Sequence, residues 1–357
     1  YREEAVENAS PDPDREVEPY REEAVEFASG DFILAGTLTM PPEGAPHPAV
    51  VLLSGSGAQT RDYGPGAFRM FGLMADHLTN NGIAVLRYDD PGAGSSIGDW
   101  LDVTIDDRIG IILAALDLLL DHDQIDSGRV GLVGHSEGGT VAPRVANQSE
   151  HVSFVVLVAG TALTGGEIIR YQNEVILGSQ GLTGEELSEQ LEFVDVVREA
   201  VETDTGWEEV EQQMRRLLYE GIERMSLQER TLLTDDDAWV DAVAQAQLAT
   251  LRSPWYRSFY VYDPAVALAE LAVPVLAVFA EHDLQIPAEP NEAAMRKALT
   301  EAGNPDFTII TLPDADHSFQ GDYSDTLLEQ YGCLEYEFAP GFLDTITDWM
   351  RVRVQEA

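Results

Sequence analysis

The sequence contains very little cysteine, very little lysine and no long apolar run. Its one cysteine, Cys333, excludes a disulfide within the chain and a zinc site built on cysteines. The longest apolar run, around Val152–Gly160, has the length of a strand and falls far short of the roughly 18 residues of a transmembrane helix. We therefore expect neither a disulfide-stabilised fold nor a membrane-spanning helix.

Positive charge is also scarce. The 357 residues include 21 Lys+Arg, of which only Lys297 is lysine, against 64 Asp+Glu, so the formal net charge is −43. Nucleic acids and anionic membrane surfaces are bound through basic patches. We therefore expect neither a nucleic acid nor a membrane as a partner.

The acidic residues are spread along the whole chain. Residues 1–29 contain 10 acidic and 3 basic residues, and residues 161–272 contain 22 and 8. This distribution indicates a surface adapted to concentrated salt rather than an acidic tail, because molar salt shortens the screening length to about 3 Å and relieves self-repulsion. The cytoplasm of a high-salt cell is the expected location. Secretion stays an alternative, because the sequence begins with Tyr1 and not with methionine.

The pattern of apolar residues predicts an α/β fold. From residue 24 onward, short apolar strands alternate with helices, which is typical of a mostly parallel sheet with helices on both faces. We assign residues 24–160 and 273–357 to this core and residues 1–23, which hold one copy and part of a second copy of YREEAVE, to an acidic N-terminal extension. Residues 161–272 contain amphipathic helical runs without a strand pair, and we interpret them as a helical cap over a site.

Periodicity also places the individual elements of the core. The predicted strands are Phe32–Met40, Ala49–Leu53, Ile83–Tyr88, Val130–Val133, Phe154–Val158, Val275–Phe279 and Phe307–Leu312. The predicted helices are Ala67–Asn81, Ile105–His122, Gly138–Asn147, Glu289–Gly303 and Gly341–Val354. Because the carboxyl ends of parallel strands share one edge of a sheet, residues that follow these strands are the candidates for a functional site.

The clearest chemical motif is Gly134-His135-Ser136-Glu137-Gly138. It follows the predicted strand Val130–Val133 and opens a helix, which is the context of the G-x-S-x-G nucleophile elbow. The turn is so tight that the residues two before and two after Ser136 must lack side chains. Ser136 would then lie at a helix N-terminus, where negative charge is favoured. We predict that Ser136 is a nucleophile and that the side chain of His135 points away from it.

A nucleophilic serine needs a general base, which in this fold follows it in the sequence. Of the seven histidines, only His282 and His317 lie beyond residues 161–272. His317 is in the loop after the last predicted strand, and such a loop can reach back over the sheet edge. We predict His317 as the base and interpret His282 as a packing or surface residue.

The base in turn needs a carboxylate that orients it. Asp283 follows the predicted strand Val275–Phe279 closely and is the predicted partner of His317. Glu281 is the rival candidate. Asp316 is a weaker one, because it is too near His317 in the chain to bridge its ring easily.

Acyl transfer also needs donors for the developing oxyanion. One is the backbone N–H of Glu137, the residue after the nucleophile. The other is expected from the loop Ser54–Gly57, and we assign it to the N–H of Ser56 with Gly55 as the alternative. The second glycine-rich segment, Gly92–Ser96, is interpreted as a structural turn.

These motifs resemble the α/β-hydrolase superfamily and, within it, a subfamily of serine carboxylesterases, the EstD-like esterases. The segments that carry the resemblance are Ser54–Asp62, Gly134–Pro143, Ser253–Phe259, Tyr262-Asp263-Pro264, Asp283–Pro287 with Asn291, and His317–Gln320. One departure is Ala58, where the subfamily usually has proline in the loop near the oxyanion donors. The resemblance covers roughly residues 24–355 and leaves the acidic N-terminal segment without a counterpart.

The resemblance implies hydrolysis of short- to medium-chain carboxylic esters through an acyl-enzyme, with Ser136, Asp283 and His317 as the triad. It implies a small-molecule ester as partner and no metal or organic cofactor. Trp255 and Tyr256 either line the acyl pocket or pack the cap on the core. The alternatives are a serine aminopeptidase or thioesterase with the same triad, or a binding protein without catalysis. A haloalkane dehalogenase is excluded, because its nucleophile would be aspartate.

Overall fold

An eight-stranded sheet forms the centre of the computed structural model. The structure describes residues 20–64, 68–179, 181–226, 230, 233, 235–321 and 337–356. The first YREEAVE copy, the stretch after it and Cys333 lie outside these residues. The strands are β1 Arg21–Ser29, β2 Phe32–Met40, β3 His47–Leu53, β4 Ala84–Tyr88, β5 Ile125–His135, β6 Val152–Val158, β7 Val275–Ala280 and β8 Phe307–Leu312.

The strand order in the sheet is β1-β2-β4-β3-β5-β6-β7-β8. Strands β1, β2 and β4 pair in antiparallel fashion, and all pairs from β4 through β3 to β8 are parallel. The central strands β3 to β7 are almost continuously buried, as expected for a parallel sheet that is covered on both faces.

Helices cover both faces of the sheet. They are α1 Met70–Asn80, α2 Ile105–Leu120, α3 Glu137–Ala146, α4 Gly165–Ser179, α5 Gly184–Thr203, α6 Trp207–Arg224, α7 Asp236–Leu251, α8 Pro254–Val261, α9 Pro264–Leu268, α10 Ala288–Glu301 and α11 Phe342–Glu356. Helices α2, α3 and α10 contribute apolar side chains to the cluster on one face, and α1 and α11 to the cluster on the other. The predicted mostly parallel sheet with helices on both faces is confirmed.

The chain between β6 and β7 is helical in its described residues. Helices α4 to α8 surround an apolar cluster of their own that includes Val197, Met214 and Tyr260. Ile168 of α4, Leu268 of α9 and Leu271 belong to the cluster on the sheet, so both ends of this segment also pack on the sheet. The division into a core and a helical cap at residues 161–272 stays a prediction.

The predicted bounds of β3, β4, β6 and β7 differ from the observed ones by one or two residues. Two larger differences lie where the chain carries no apolar signal. Strand β1, for which the sequence predicted no bounds, begins at Arg21 within the predicted extension 1–23, and its first four side chains are exposed on the sheet edge. Strand β5 extends back to Ile125 through the polar residues Asp126, Ser127 and Gly128. No helix in the described ranges is both long and apolar enough to cross a bilayer.

Candidate active site

Four of the predicted site segments meet at the carboxyl ends of neighbouring parallel strands. The loop Ser54–Gly57 follows β3, Ser136 follows β5, Asp283 follows β7 and His317 follows β8. In an open α/β sheet this edge is where ligands bind. Ser56, Ser136, Glu137 and His317 line one cavity of about 440 Å³ there.

Ser136 lies in a strained turn between β5 and α3. Its backbone has φ 55° and ψ −120°, a region that a residue with a side chain rarely adopts. A Cβ atom on Gly134 would overlap the backbone of Gly138, and a Cβ atom on Gly138 would overlap the carbonyl of Leu53. Glycine is therefore required at both positions, as the sequence predicted.

The imidazole of His317 is held from one side by a buried carboxylate. Its Nδ1 lies 2.8 Å from Asp283 Oδ2, and the two side chains are 7% and 0% exposed. The other oxygen of Asp283 accepts hydrogen bonds from the N–H groups of Gln285 and Ile286, at 2.8 Å each. Because these bonds fix the carboxylate, they also fix the orientation of the histidine ring.

Ser136 and His317 share the cavity but are not hydrogen-bonded to each other in the described structure. In free enzymes such bonds are often long and shorten only when substrate is bound. With Nδ1 bound to Asp283, Nε2 is the ring nitrogen of His317 that remains for the reacting groups.

The two rival carboxylates have other partners. Glu281 is largely exposed, and its Oε2 accepts a bond of 3.2 Å from the N–H of Asp314. Asp316 is buried and accepts hydrogen bonds of 2.9 Å and 3.0 Å from the N–H groups of Ser318 and Gln320. Asp316 therefore stabilises the loop that carries His317, whereas Asp283 contacts its ring.

The side chain of His135 does more than point away from Ser136, because it forms a hydrogen bond with the backbone of His317. Its Nε2 donates to the carbonyl oxygen of His317 at 2.7 Å, and its Nδ1 accepts from the hydroxyl of Tyr63 at 2.9 Å. Burial and the neighbouring His317 lower the pKa of His135 to about 3, so the ring is neutral at ordinary pH. No motif in the sequence indicated this role.

The predicted oxyanion donors lie on the same cavity. The backbone N–H groups of Ser56 and Glu137 have no acceptor among the described residues. The side chains of the two residues are joined, because Ser56 Oγ donates to Glu137 Oε2 at 2.7 Å. The arrangement can bind negative charge beside Ser136.

Comparison with known proteins identifies the fold family. A family model described as the alpha/beta hydrolase family matches residues 50–330. The chain belongs to this family. The predicted α/β-hydrolase fold is thereby confirmed, whereas the EstD-like subfamily and the adaptation to salt stay predictions.

Two individual proteins are similar to this chain in sequence. Esterase EstD of Thermotoga maritima is 25% identical over 285 residues, which cover 80% of this chain and 57% of the esterase. Acyl-coenzyme A thioesterase 1 of Homo sapiens is 27% identical over 144 residues, which cover 40% of this chain and 30% of the thioesterase. The chain thus matches somewhat more than half of the first relative and about a third of the second.

Proline iminopeptidase of Mycobacterium smegmatis shares the fold in three dimensions. Its structure superposes with a TM-score of 0.54, covering 94% of this chain and 99% of the iminopeptidase. The sequences are 15% identical, so the likeness extends to the fold alone.

A buried arginine that the sequence did not indicate lies behind the candidate oxyanion donors. Arg108, on α2, is 2% exposed, and its guanidinium lies 4.9 Å from the centre of the Trp100 ring. It donates to Glu137 Oε1 at 2.8 Å, to the carbonyl oxygen of Gly55 at 3.3 Å, and to the carbonyl oxygen of Ser54. The only signal in the sequence is one charge on the buried face of an apolar helix.

The carboxylate of Glu137 links this arginine to the helical insertion. Its Oε2 accepts from Ser56 Oγ and, at 3.2 Å, from Trp255 Nε1 on α8. Trp255 and Tyr256 both line the cavity of Ser136, and Trp255 also packs on the core through Trp100 at 6.1 Å. Trp255 therefore both lines the cavity and packs on the core.

Asp90, another buried carboxylate near the loop Ser54–Gly57, makes the free energy of unfolding depend on pH. Asp90 Oδ2 accepts from Ser54 Oγ at 2.6 Å and from the N–H of Gln59 at 3.2 Å, and burial raises the pKa of Asp90 to about 7. Between about pH 4 and pH 7 the folded protein thus holds a proton that the unfolded chain has released. The contribution of Asp90 to the free energy of unfolding therefore decreases as pH rises through this window.

We expect the variant Asp90→Asn to remove this dependence. Relative to the wild type, its free energy of unfolding should rise by up to about 4 kcal/mol between pH 4 and pH 8, at about 1.4 kcal/mol per pKa unit. Urea unfolding at matched ionic strength measures the difference. The control is Asp123→Asn, at an exposed position, whose difference from the wild type should not change with pH. A constant difference for Asp90→Asn would contradict the prediction.

One surface group has the residue types of a metal site. The ligand atoms of Glu281, His282 and Asp314 lie within 4.8 Å of one another, and the two carboxylates are exposed. Exposed acidic groups of this kind are common in a chain with 64 Asp+Glu. None of the three residues lines the described cavity of Ser136, and the group supports no assignment.

Proposed function

We propose that this protein is a serine carboxylesterase that hydrolyses carboxylic esters through an acyl-enzyme. The observation that carries the proposal is the bond of 2.8 Å between Asp283 and His317 at the cavity that contains Ser136. A nucleophile at an elbow, a histidine in the same cavity and a carboxylate that orients the histidine are the three parts that acyl transfer requires. The similarity to esterase EstD supports the same reaction class.

In the proposed reaction, His317 Nε2 takes the hydroxyl proton as Ser136 Oγ attacks the ester carbonyl carbon. The tetrahedral intermediate collapses, the bond to the alcohol oxygen breaks, and His317 gives the proton to the leaving alcohol. Water then attacks the acyl carbon and gives a proton to His317, the bond to Oγ breaks, and His317 returns the proton to Oγ as the acid leaves. Asp283 orients the imidazole and stabilises its cation in both steps.

The N–H groups of Ser56 and Glu137 are proposed to donate to the oxyanion. Such donors lower the barrier because they are aimed at charge that develops only in the transition state. Arg108 is proposed as a positioning residue, because it binds the carbonyls on the chain just before Ser56 and the carboxylate of Glu137. The predictions in the Discussion address these roles.

Neutral esters fit the cavity better than coenzyme A thioesters do. Its lining includes Glu137 but no arginine or lysine. Coenzyme A carries phosphates, which proteins bind through basic side chains and helix N-termini. We propose that Trp255 and Tyr256 contact the substrate, and that it is a neutral ester with a short to medium acyl chain.

Two measurements test this function. A fluorophosphonate should label Ser136 at one equivalent per chain, and peptide mass spectrometry should locate the adduct. In a matched panel of a butyrate ester, a butyryl thioester and a butyryl anilide, we expect the highest kcat/KM for the ester. Faster turnover of the thioester or the anilide would favour the alternative classes, and the absence of labelling would remove the catalytic assignment.

We propose further that the net charge of −43 is an adaptation to concentrated salt, as in the cytosol of a high-salt cell. At 0.1 M salt the screening length is about 10 Å, so neighbouring surface carboxylates repel one another, and at 1 M it is about 3 Å. The surface arginines already have acidic partners in pairs such as Arg215 with Glu211 and Arg198 with Asp195. Because there are only 21 Lys+Arg, most of the 64 acidic residues have no basic residue to balance their charge.

We expect the melting temperature to rise by about 10 °C or more between 0.1 M and 3 M KCl. Thermal unfolding followed by circular dichroism measures it, and esterase activity at each concentration shows whether the folded form is active. Equal concentrations of NaCl serve as the control for an effect of one cation. An unchanged or lower melting temperature in both salts would refute the adaptation.

A further inference from the structure

A second cavity lies inside the helical insertion, next to the catalytic cavity. It has a volume of about 370 Å³ and is formed by side chains of α4, α5, α6, α7 and α8. The cavity opens to solvent on one side, where Ala246 and Gln247 of its lining are exposed. Its volume is in the range of ligand sites in proteins.

The lining of this cavity is unusual for such an acidic protein. Among the described residues, its lining contains Phe193, Val197, Met214 and Leu251 as apolar members and no charged side chain. Four other cavities of the described structure each include at least one carboxylate. An uncharged and mostly apolar lining favours a ligand without charge, because a charged group would lose its hydration without gaining a partner.

The cavity is adjacent to Ser136 through shared side chains. Ile169, on α4, and Tyr256, on α8, line both this cavity and the catalytic one. The ring of Tyr256 packs on Trp255 and Tyr260, with centroids 6.0 Å and 5.9 Å apart, and its hydroxyl has no hydrogen bond within the described residues. Ile169 and Tyr256 therefore form the boundary that a substrate chain would cross between the two cavities.

We propose that this cap cavity binds the unbranched apolar chain of the ester substrate. The inference rests on the proposed esterase function and extends it from short esters to esters with a longer chain. The carbonyl lies at Ser136, and the chain passes between Ile169 and Tyr256 into the cap. Each methylene that leaves water there should raise kcat/KM about fourfold, from about 0.8 kcal/mol of transfer free energy.

The test is a chain-length series on a variant that fills the cavity. Ala246 lies on α7 at the exposed rim of the cavity, and Ala246→Trp should obstruct it. Ala249, three residues further along the same helix, is also exposed but does not line the cavity, so Ala249→Trp is the matched control. The substrates are p-nitrophenyl esters from acetate to decanoate and acetate esters of alcohols from ethanol to decanol.

We expect the ratio of kcat/KM for the decanoate ester to that for the acetate ester to fall at least tenfold in Ala246→Trp and to stay unchanged in Ala249→Trp. A loss in the acyl series alone assigns the chain to the acid part of the ester, and a loss in the alcohol series alone assigns it to the alcohol part. Equal ratios in Ala246→Trp and the wild type for both series would overturn the proposal while leaving the esterase function intact.

A binding measurement separates the two proposals if no ester is hydrolysed. Calorimetric titration with 1-decanol should show binding to the wild type and to Ala249→Trp, and binding at least tenfold weaker to Ala246→Trp. Equal affinity for all three proteins, or binding to none, would overturn the assignment of the cap cavity whatever the outcome for esterase activity.

Discussion

Replacement of Ser136 by alanine is expected to lower kcat for ester hydrolysis by about 10⁴-fold or more, with a folded protein of unchanged melting temperature. The hydroxyl is the proposed nucleophile, so its removal prevents formation of the acyl-enzyme at Ser136. What remains is catalysis by binding and by the oxyanion donors, which triad enzymes retain when the nucleophile is lost. Steady-state kinetics with a butyrate ester measures the effect.

The same experiment tests whether the three residues act as a unit. Asp283→Asn should lower kcat by about 10⁴-fold, because it disturbs the hydrogen bond that sets the tautomer and orientation of His317. The double variant Ser136→Ala, His317→Ala should be no slower than Ser136→Ala alone. Ser127→Ala, at an exposed position on β5, is the control and should match the wild type. Multiplicative losses in the double variant would contradict a shared mechanism.

The variant Arg108→Met is expected to lower kcat by about 100-fold and to destabilise the fold by about 3–5 kcal/mol. The stability loss arises because the buried carboxylate of Glu137 loses its charged partner. The kinetic loss arises because the carbonyls of Ser54 and Gly55 lose the guanidinium that holds them, and a displacement of about 1 Å near the reacting atoms costs about that factor.

A second variant separates positioning from folding. In Arg108→Met, Glu137→Gln the buried charge is removed, so most of the stability should return. The kcat should stay low and KM should change little, because the loop that carries Ser56 is still released. Arg108→Lys should also be slow, since an ammonium cannot bind several acceptors in the planar arrangement that a guanidinium uses. Recovery of wild-type kcat in the double variant would show that Arg108 is only structural.

The parts of this protein that the sequence determined are those with a local physical cause. The predicted strand Phe307–Leu312 and the start of helix α2 at Ile105 agree with the structure, because apolar periodicity follows backbone geometry. The elbow at Ser136 was predictable for the same reason, since only glycine fits at Gly134 and Gly138. Edges without an apolar signal, such as the polar first half of β5, were misplaced.

Contacts between distant segments had to come from the tertiary structure. The sequence left Asp283, Glu281 and Asp316 as candidates, and only the folded chain places Asp283 against the His317 ring. The reason is that the direction of a side chain after a strand depends on the turn that follows, here fixed by the N–H groups of Gln285 and Ile286.

Arg108 and His135 show the same limit more strongly. Both are buried polar residues whose side-chain hydrogen bonds go to residues 29 or more positions away in the chain, so no spacing in the sequence relates them to the site. The cap cavity likewise forms only where five helices leave a space between them. The sequence thus determined which residues carry the proposed chemistry, because that chemistry needs particular residue types in local motifs. The tertiary structure alone decided what holds those residues in place and how much room a substrate has, because both depend on packing between segments that are distant in the chain.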